Sequence, residues 1–157
     1  MGGGAWPVSI MELIIKHFSE LSVQELHEIY KLRVSVFIVE QHCPYQDVDE
    51  LDTAAYHIFL RDEDGIEAYL RLLPPHTAFD CAALGRVLAV KRRCGLGTRI
   101  VSEGIAAARR IFGADTIKLE AQVYARGLYE KCGFVQSSGE FLEDGIPHIE
   151  MTWTQES

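Results

Sequence analysis

The stretch KRRCGLGT, residues 91–98, follows directly on LGRVLAV, which reads as a buried strand, and precedes a run with helical apolar spacing. Three cations and two glycines therefore meet at a junction of strand and helix. Cations at the positive end of a helix repel both one another and the helix dipole unless an anion sits there. A glycine-rich turn that opens a helix lets several backbone N–H groups converge on a phosphate. The chain as a whole is acidic, with 15 basic and 23 acidic residues and a formal charge of -8. General attraction to nucleic acid or to an anionic membrane is not expected, and any phosphate recognition should be local to this loop.

Two common phosphate loops do not fit. A nucleotide triphosphatase loop needs Gly-Lys-Ser/Thr, and no lysine here follows a glycine. A dinucleotide loop needs a third glycine, where this chain has Ile100.

Outward from the loop, Ile100, Gly104, Ala108 and Ile111 share one face of a helix that should stop near Gly113. TIKLEAQ reads as the next strand, YARGLYEKC as a short helix ending at Gly133, and FVQS and PHIEMTW as closing strands. On the N-terminal side, AYHIFLR and IEAYLRLL flank Asp62-Glu-Asp-Gly65 and predict a hairpin. ELIIKHF predicts a first strand. Ser22-Val-Gln-Glu25 is a capping box opening a helix with Leu26, Ile29, Tyr30, Val34 and Phe37 on its apolar stripe, and that helix should end near Phe37. The order β, α, β, β, β, α, β, α, β, β predicts an α/β domain with a mixed central sheet flanked by helices. Residues 1–10, which include three glycines, are expected to be a flexible N-terminus, and 157 residues suit one core.

Cys43, Cys81, Cys94 and Cys132 form no CxxC pair and predict reduced thiols with no metal site. Cys132 reads as small and buried, and His57 as a hydrogen-bonded strand histidine. No run of about 18 apolar residues and no cationic leader is visible, so a cytoplasmic protein is expected. Arg33 lies on the apolar stripe of the first helix, where an unpaired cation is costly. It predicts a carboxylate partner among Glu40, Asp47, Asp49 and Asp52, which would brace the loop after the helix; the alternative is extension to solvent.

Two motifs carry a family resemblance. RRCGLG resembles the R/Q-x-x-G-x-G/A loop of the GNAT N-acetyltransferases, and GLYEKCGF resembles the tyrosine-bearing helix before a late strand in that family. FIVEQHCPYQDVDELD, GRV, EAQ and EDGIPHIEM are similar to the ElaA-type branch, so that residues 11–155 are identified as one GNAT domain of acyl-CoA N-acyltransferase fold. The resemblance implies transfer of an acetyl group from acetyl-CoA to a primary amine, on a small molecule or a peptide, by direct attack in a ternary complex. Leu88, Ala89 and Val90 would contact the pantetheine arm, and Arg92, Arg93, Cys94, Gly95, Leu96, Gly97 and Thr98 the pyrophosphate. Tyr129 matches the family's proposed proton donor to the leaving thiolate. Glu40, Glu120 and His148 are the candidates for the base that deprotonates the amine. The segment before the loop is shorter than usual, and Arg93 stands where many members have glycine. Gln122 and Tyr124 occupy the region of a frequent asparagine. An acyl-CoA sensor without turnover, or transfer of a longer acyl group, would use the same fold. Edge strands or paired helices would support a homodimer, which the composition does not require.

Overall fold

The computed structural model describes residues 11–90 and 95–156. The N-terminus at 1–10 and residues 91–94, with Arg92, Arg93 and Cys94 of the expected donor loop, lie outside the described residues.

Eight strands form one mixed sheet: β1 (Glu12–His17), β2 (Tyr56–Asp62), β3 (Gly65–Leu73), β4 (Ala82–Ala89), β5 (Thr116–Gln122), β6 (Val135–Gln136), β7 (Phe141–Glu143) and β8 (Ile146–Thr154). Their order is β1-β2-β3-β4-β5-β8-β6, with β7 also on the outer edge of β8. Every pairing is antiparallel except β4 with β5. The expected mixed sheet is therefore present.

Strand periodicity of two sends alternate side chains to opposite faces. Ile58, Leu60, Leu70, Leu72, Leu84, Ile117 and Leu119 enter the larger core with Ile100, Val101 and Ala108 of α2 (Leu96–Phe112). Gly104 allows that helix to lie close to the sheet, because a Cβ there would come within 2.8 Å of Leu70 Cδ2. The helix ends as expected at Gly113, whose φ of 62° is left-handed, and Ala114 N–H reaches back to the Ala108 carbonyl at 3.3 Å. The short helix α3 (Arg126–Lys131) follows a 3-10 turn and packs against α2.

The opposite face of β2 and β3 carries Phe59 and Tyr69 against Ile29 of α1 (Val23–Arg33). The capping box that starts α1 is intact: Glu25 N–H donates to Ser22 Oγ at 3.0 Å, and Ser22 N–H to Glu25 Oε1 at 2.8 Å. The predicted end near Phe37 is corrected, since the helix continues to Glu40 as a π-helical segment, Val34–Glu40. Its VSVFIV sequence is dense in β-branched side chains, which crowd the preceding α-helical turn. The three-residue strand β7 was not expected either; its residues are mostly exposed and show no apolar alternation. Cys132 is half-buried rather than buried.

Candidate active site

The parallel pair β4 and β5 is joined only at Ala82↔Ile117 and Ala83↔Lys118. Beyond these residues β4 stays with β3 as far as Ala68↔Ala89, and β5 stays with β8 as far as Gln122↔His148. A gap opens between them toward their C-terminal ends. Val90 N–H donates to the Glu67 carbonyl at 2.7 Å, so Val90 faces β3. Backbone polar groups alternate sides along a strand. Leu88 accordingly faces β3 as well, whereas Ala89 turns its N–H and C=O, and Val87 its C=O, to the gap, where no described strand pairs with them. Of the three strand residues expected at the donor, Ala89 presents its backbone there. Val87 joins it, and counting back two residues from Ala89 would have found it.

The mouth of the gap lies between the starts of α2 and α3, because β4 leads to one and β5 to the other. Gly95 caps α2 with φ of 69°, and no atom of the described residues lies within 4 Å of a Cβ built on it, so the backbone there can be approached closely. Leu96 is buried under the turn. A Cβ on Gly97 would meet Leu128 Cδ1 of α3 at 3.3 Å, and Thr98 offers its carbonyl to the Cys132 thiol at 3.8 Å. These contacts pack the first turn of α2 along α3, from Leu128 to the C-cap residue Cys132.

Tyr129 is buried, with its ring edge-on to Phe134 at a centroid distance of 6.1 Å. Its hydroxyl has no hydrogen-bond partner among the described residues, yet it is not a buried orphan: the ring is enclosed while the oxygen itself stays accessible. Burial, reinforced by Tyr124 and Cys132, pushes its pKa above the usual phenol range, so the proton stays on at neutral pH.

A polar face flanks the gap on the side of α1. β5 turns Glu120 and Gln122 to it, and the cross-strand pairs Glu120↔Glu150 and Gln122↔His148 bring β8 alongside. Glu143 of β7 lies close enough to act on Glu120 electrostatically. Burial and the Glu143 carboxylate raise the Glu120 carboxyl above the ordinary carboxylate range. His148 Nδ1 lies 2.7 Å from the Ile146 carbonyl, which can only accept, so Nδ1 carries a hydrogen. Nε2 then faces Glu143 Oε2 at 3.7 Å. Glu40 is exposed at the end of the π-helical segment, and its neighbour Gln41 accepts from Gln122 Nε2 at 3.1 Å. The structure thus groups His148 with Glu120, and sets Glu40 at the rim of the same face. Glu143 was missed, since its short strand has no periodic signal.

The predicted partners of Arg33 are resolved. Its guanidinium is fully buried, with Nε at 3.0 Å from Asp47 Oδ2 and a terminal nitrogen at 2.6 Å from Asp52 Oδ1. Arg71 adds contacts to Asp49 at 2.7 Å and Asp52 at 3.1 Å. Burial alone would raise the Asp52 carboxyl, but Arg33 and Arg71 outweigh it and hold the pKa below the ordinary range. His57 is the expected bonded strand histidine: its ring nitrogens lie 2.7 Å from Tyr69 Oη and 3.0 Å from the Asp52 carbonyl, and burial lowers its pKa. A broad surface hollow of about 730 Å³ near Phe79, Asp115 and Lys118 lies at the other ends of β4 and β5, where the strands are still paired.

A mixed sheet whose single parallel pair opens beside two helix starts defines the class of acyl-CoA N-acyltransferase folds. The chain belongs to the GNAT acetyltransferases: the family described as "Acetyltransferase (GNAT) domain" matches residues 25–155. Its relatives include UPF0039 protein C11D3.02c of Schizosaccharomyces pombe, 39% identical over 148 residues, or 92% of this chain and 97% of that protein. Among solved structures it is similar to an acyl-CoA N-acyltransferase from Pseudomonas aeruginosa, with 36% identity and a TM-score of 0.85, covering 92% of this chain and 100% of the other. Escherichia coli ElaA gives the same TM-score at 32% identity, over 92% of this chain and 99% of its own. No helix among the described residues is long and apolar enough to cross a membrane.

Proposed function

We infer that this protein transfers the acetyl group of acetyl-CoA directly to a primary amine held on the polar face beside β5. The observation that carries this reading is the opening of β4 from β5 after Ala83, which leaves backbone groups of Val87 and Ala89 without a strand partner among the described residues, beside the cap of α2. Unpaired backbone groups favour an amide-bearing ligand that completes their hydrogen bonds. The pantetheine arm is such a ligand, and its pyrophosphate suits the N–H groups at Gly95, Leu96, Gly97 and Thr98. Arg92, Arg93 and Cys94 would complete that cradle. The identity of 36% to a protein described as an acyl-CoA N-acyltransferase supports the same assignment.

Bound acetyl-CoA supplies an activated acyl group; the chain supplies proton management and orientation. A lysine-like amine, with a pKa of about 10.4, arrives protonated and must lose a proton before it attacks. Glu120 takes that proton as a carboxylate, assisted by the neighbouring Glu143 and His148, with Glu40 at the rim. As the new C–N bond forms and the C–S bond breaks, Tyr129 Oη donates its proton to the departing sulfur, and the second proton shed by the acylated nitrogen passes through water to restore the phenol. The carboxylates at Glu120, Glu143 and Glu150 suit an acceptor with further positive charge, such as a basic peptide terminus or a polyamine.

The direct test is thiol release from acetyl-CoA across a panel of mono-, di- and polyamines and basic peptides. Amine-dependent release with acetylated product is expected; tight acetyl-CoA binding with no release for any amine would leave a sensor instead. Glu120→Gln is expected to lower kcat/KM by about 10²-fold or more. The sign of the pH effect follows from the raised carboxyl: activity falls as Glu120 gains its proton, so the acidic limb should lie above the ordinary glutamate value of about 4.3. That limb should vanish in Glu120→Gln, and an unchanged profile would move the base to His148.

A further inference from the structure

The register between β3 and β4 slips once: Tyr69 pairs with Leu88, yet Arg71 pairs with Gly85, so β4 holds one residue more than β3. Such a bulge places two successive residues on the same side and turns the strand. Arg86 lies within it at φ of 53°, in the left-handed region that glycine enters freely and arginine rarely. It directly precedes Val87 and comes soon after β4 has parted from β5. A non-glycine residue persists in that conformation when its surroundings over-determine it.

Those surroundings come from the segment that follows the π-helical turn. Arg86 Nε lies 2.7 Å from Asp47 Oδ1, and its terminal nitrogen donates to the Asp47 carbonyl at 2.9 Å. That nitrogen also lies 3.4 Å from Asp49 Oδ2, and the guanidinium stands over the Tyr45 ring at 5.6 Å. The other end of the segment is tied across the gap. Gln41 bonds to Gln122 at the end of β5, and the Cys43 thiol lies 3.5 Å from the Asp144 carbonyl in the β7–β8 turn. Residues 41–49 therefore bridge the two strands that part, and Arg86 is their attachment on the β4 side.

We propose that Arg86 is a positioning residue that couples the acceptor-side segment 41–49 to the donor strand, so that seating the segment aims the backbone of Val87 and Ala89 into the gap. This rests on the reading of the gap as an acyl-CoA site. The guanidinium does not touch the reacting atoms; it acts through the bulge. An arginine at this position links the conformation of β4 to that of the segment, which glycine, though better suited to the backbone, would not do.

The test uses Arg86→Gly, which accepts the left-handed conformation without strain and removes the link, beside Arg86→Lys, which keeps charge without the planar fork. Acetyl-CoA binding by calorimetry, amine kinetics and amide hydrogen exchange are measured on all three proteins. For Arg86→Gly, folded by circular dichroism, the acetyl-CoA Kd and acceptor KM should both rise, and kcat/KM should fall on the order of tenfold to a hundredfold. Exchange should quicken together at residues 41–49 and at the Leu88 and Val90 amides, with Arg86→Lys intermediate. A wild-type protein that binds and turns over, with Arg86→Gly equal to it in Kd and KM, would overturn the coupling alone. So would faster exchange confined to 41–49, or a lowered thermal midpoint with unaltered kinetics, either of which marks a purely structural tie. Failure of the wild type to bind acetyl-CoA would overturn the reading of the gap, and the role of Arg86 with it.

Discussion

Tyr129→Phe is expected to lower kcat by about 10²-fold to 10⁴-fold, the range of a lost general acid, while leaving acetyl-CoA affinity intact. The phenyl ring keeps the edge-on contact with Phe134, and no protein hydrogen bond to the hydroxyl is lost among the described residues. The thermal midpoint should therefore hold. Burial keeps the phenol protonated above the usual tyrosine value of about 10, so the wild-type rate should not decline through that range on account of this group. Single-turnover kinetics separate the outcomes. A slowed chemical step assigns the proton to Tyr129, whereas an unchanged step, where chemistry limits the rate, removes it from the mechanism.

The second large effect is on stability. Arg33→Ala leaves Asp47 to Arg86 and Asp52 to Arg71 beside a buried cavity and should cost about 3 kcal/mol or more, the lower end of the usual result of removing one partner of a buried ion pair. At about 2–4 °C per kcal/mol for a chain of this size, the midpoint should drop by roughly 10 °C. Its pH dependence follows from Asp52. Because Arg33 and Arg71 lower the folded pKa, the stabilisation is fully present above the unfolded value of about 3.9 and is lost as pH falls through the lower folded value. The gap between wild type and Arg33→Ala should therefore narrow in acid, as measured by denaturant titration at several pH values. A midpoint unchanged by Arg33→Ala at neutral pH would mean that Arg71 and Arg86 alone hold the segment. Acceptor KM should rise in the same variant, since Asp47 joins Arg33 to Arg86.

Much of this was legible before folding, for reasons that differ by residue. The first helix announced its start because a capping box is a local pattern, satisfied by Ser22 and Glu25 alone. Its end was not legible: the spacing of Val34 and Phe37 suits an α-helix, and the β-branched run that goes with the wider π-helical turn to Glu40 also suits a strand. Arg33 could be read as needing a carboxylate, because a cation on an apolar stripe is costly wherever the chain goes. Which carboxylate it takes depended on the path of the loop, which brings Asp47 and Asp52 to it and leaves Asp49 to Arg71 and Arg86.

By itself, the sequence determined the alternation of strands and helices, the glycine turn at the start of α2, the buried cation and the family. These rest on periodicity, caps and turn residues, all of which act over a few positions of chain. Tertiary structure alone decided that β8 lies between β5 and β6, so that His148 and Glu143 flank Glu120. It also decided that β4 parts from β5 and that Arg86 adopts a left-handed backbone at that opening. Strand order and the point where two strands separate are set by how side chains pack between distant segments, and no local pattern in LGRVLAV records the bulge that Asp47 and Asp49 hold in place.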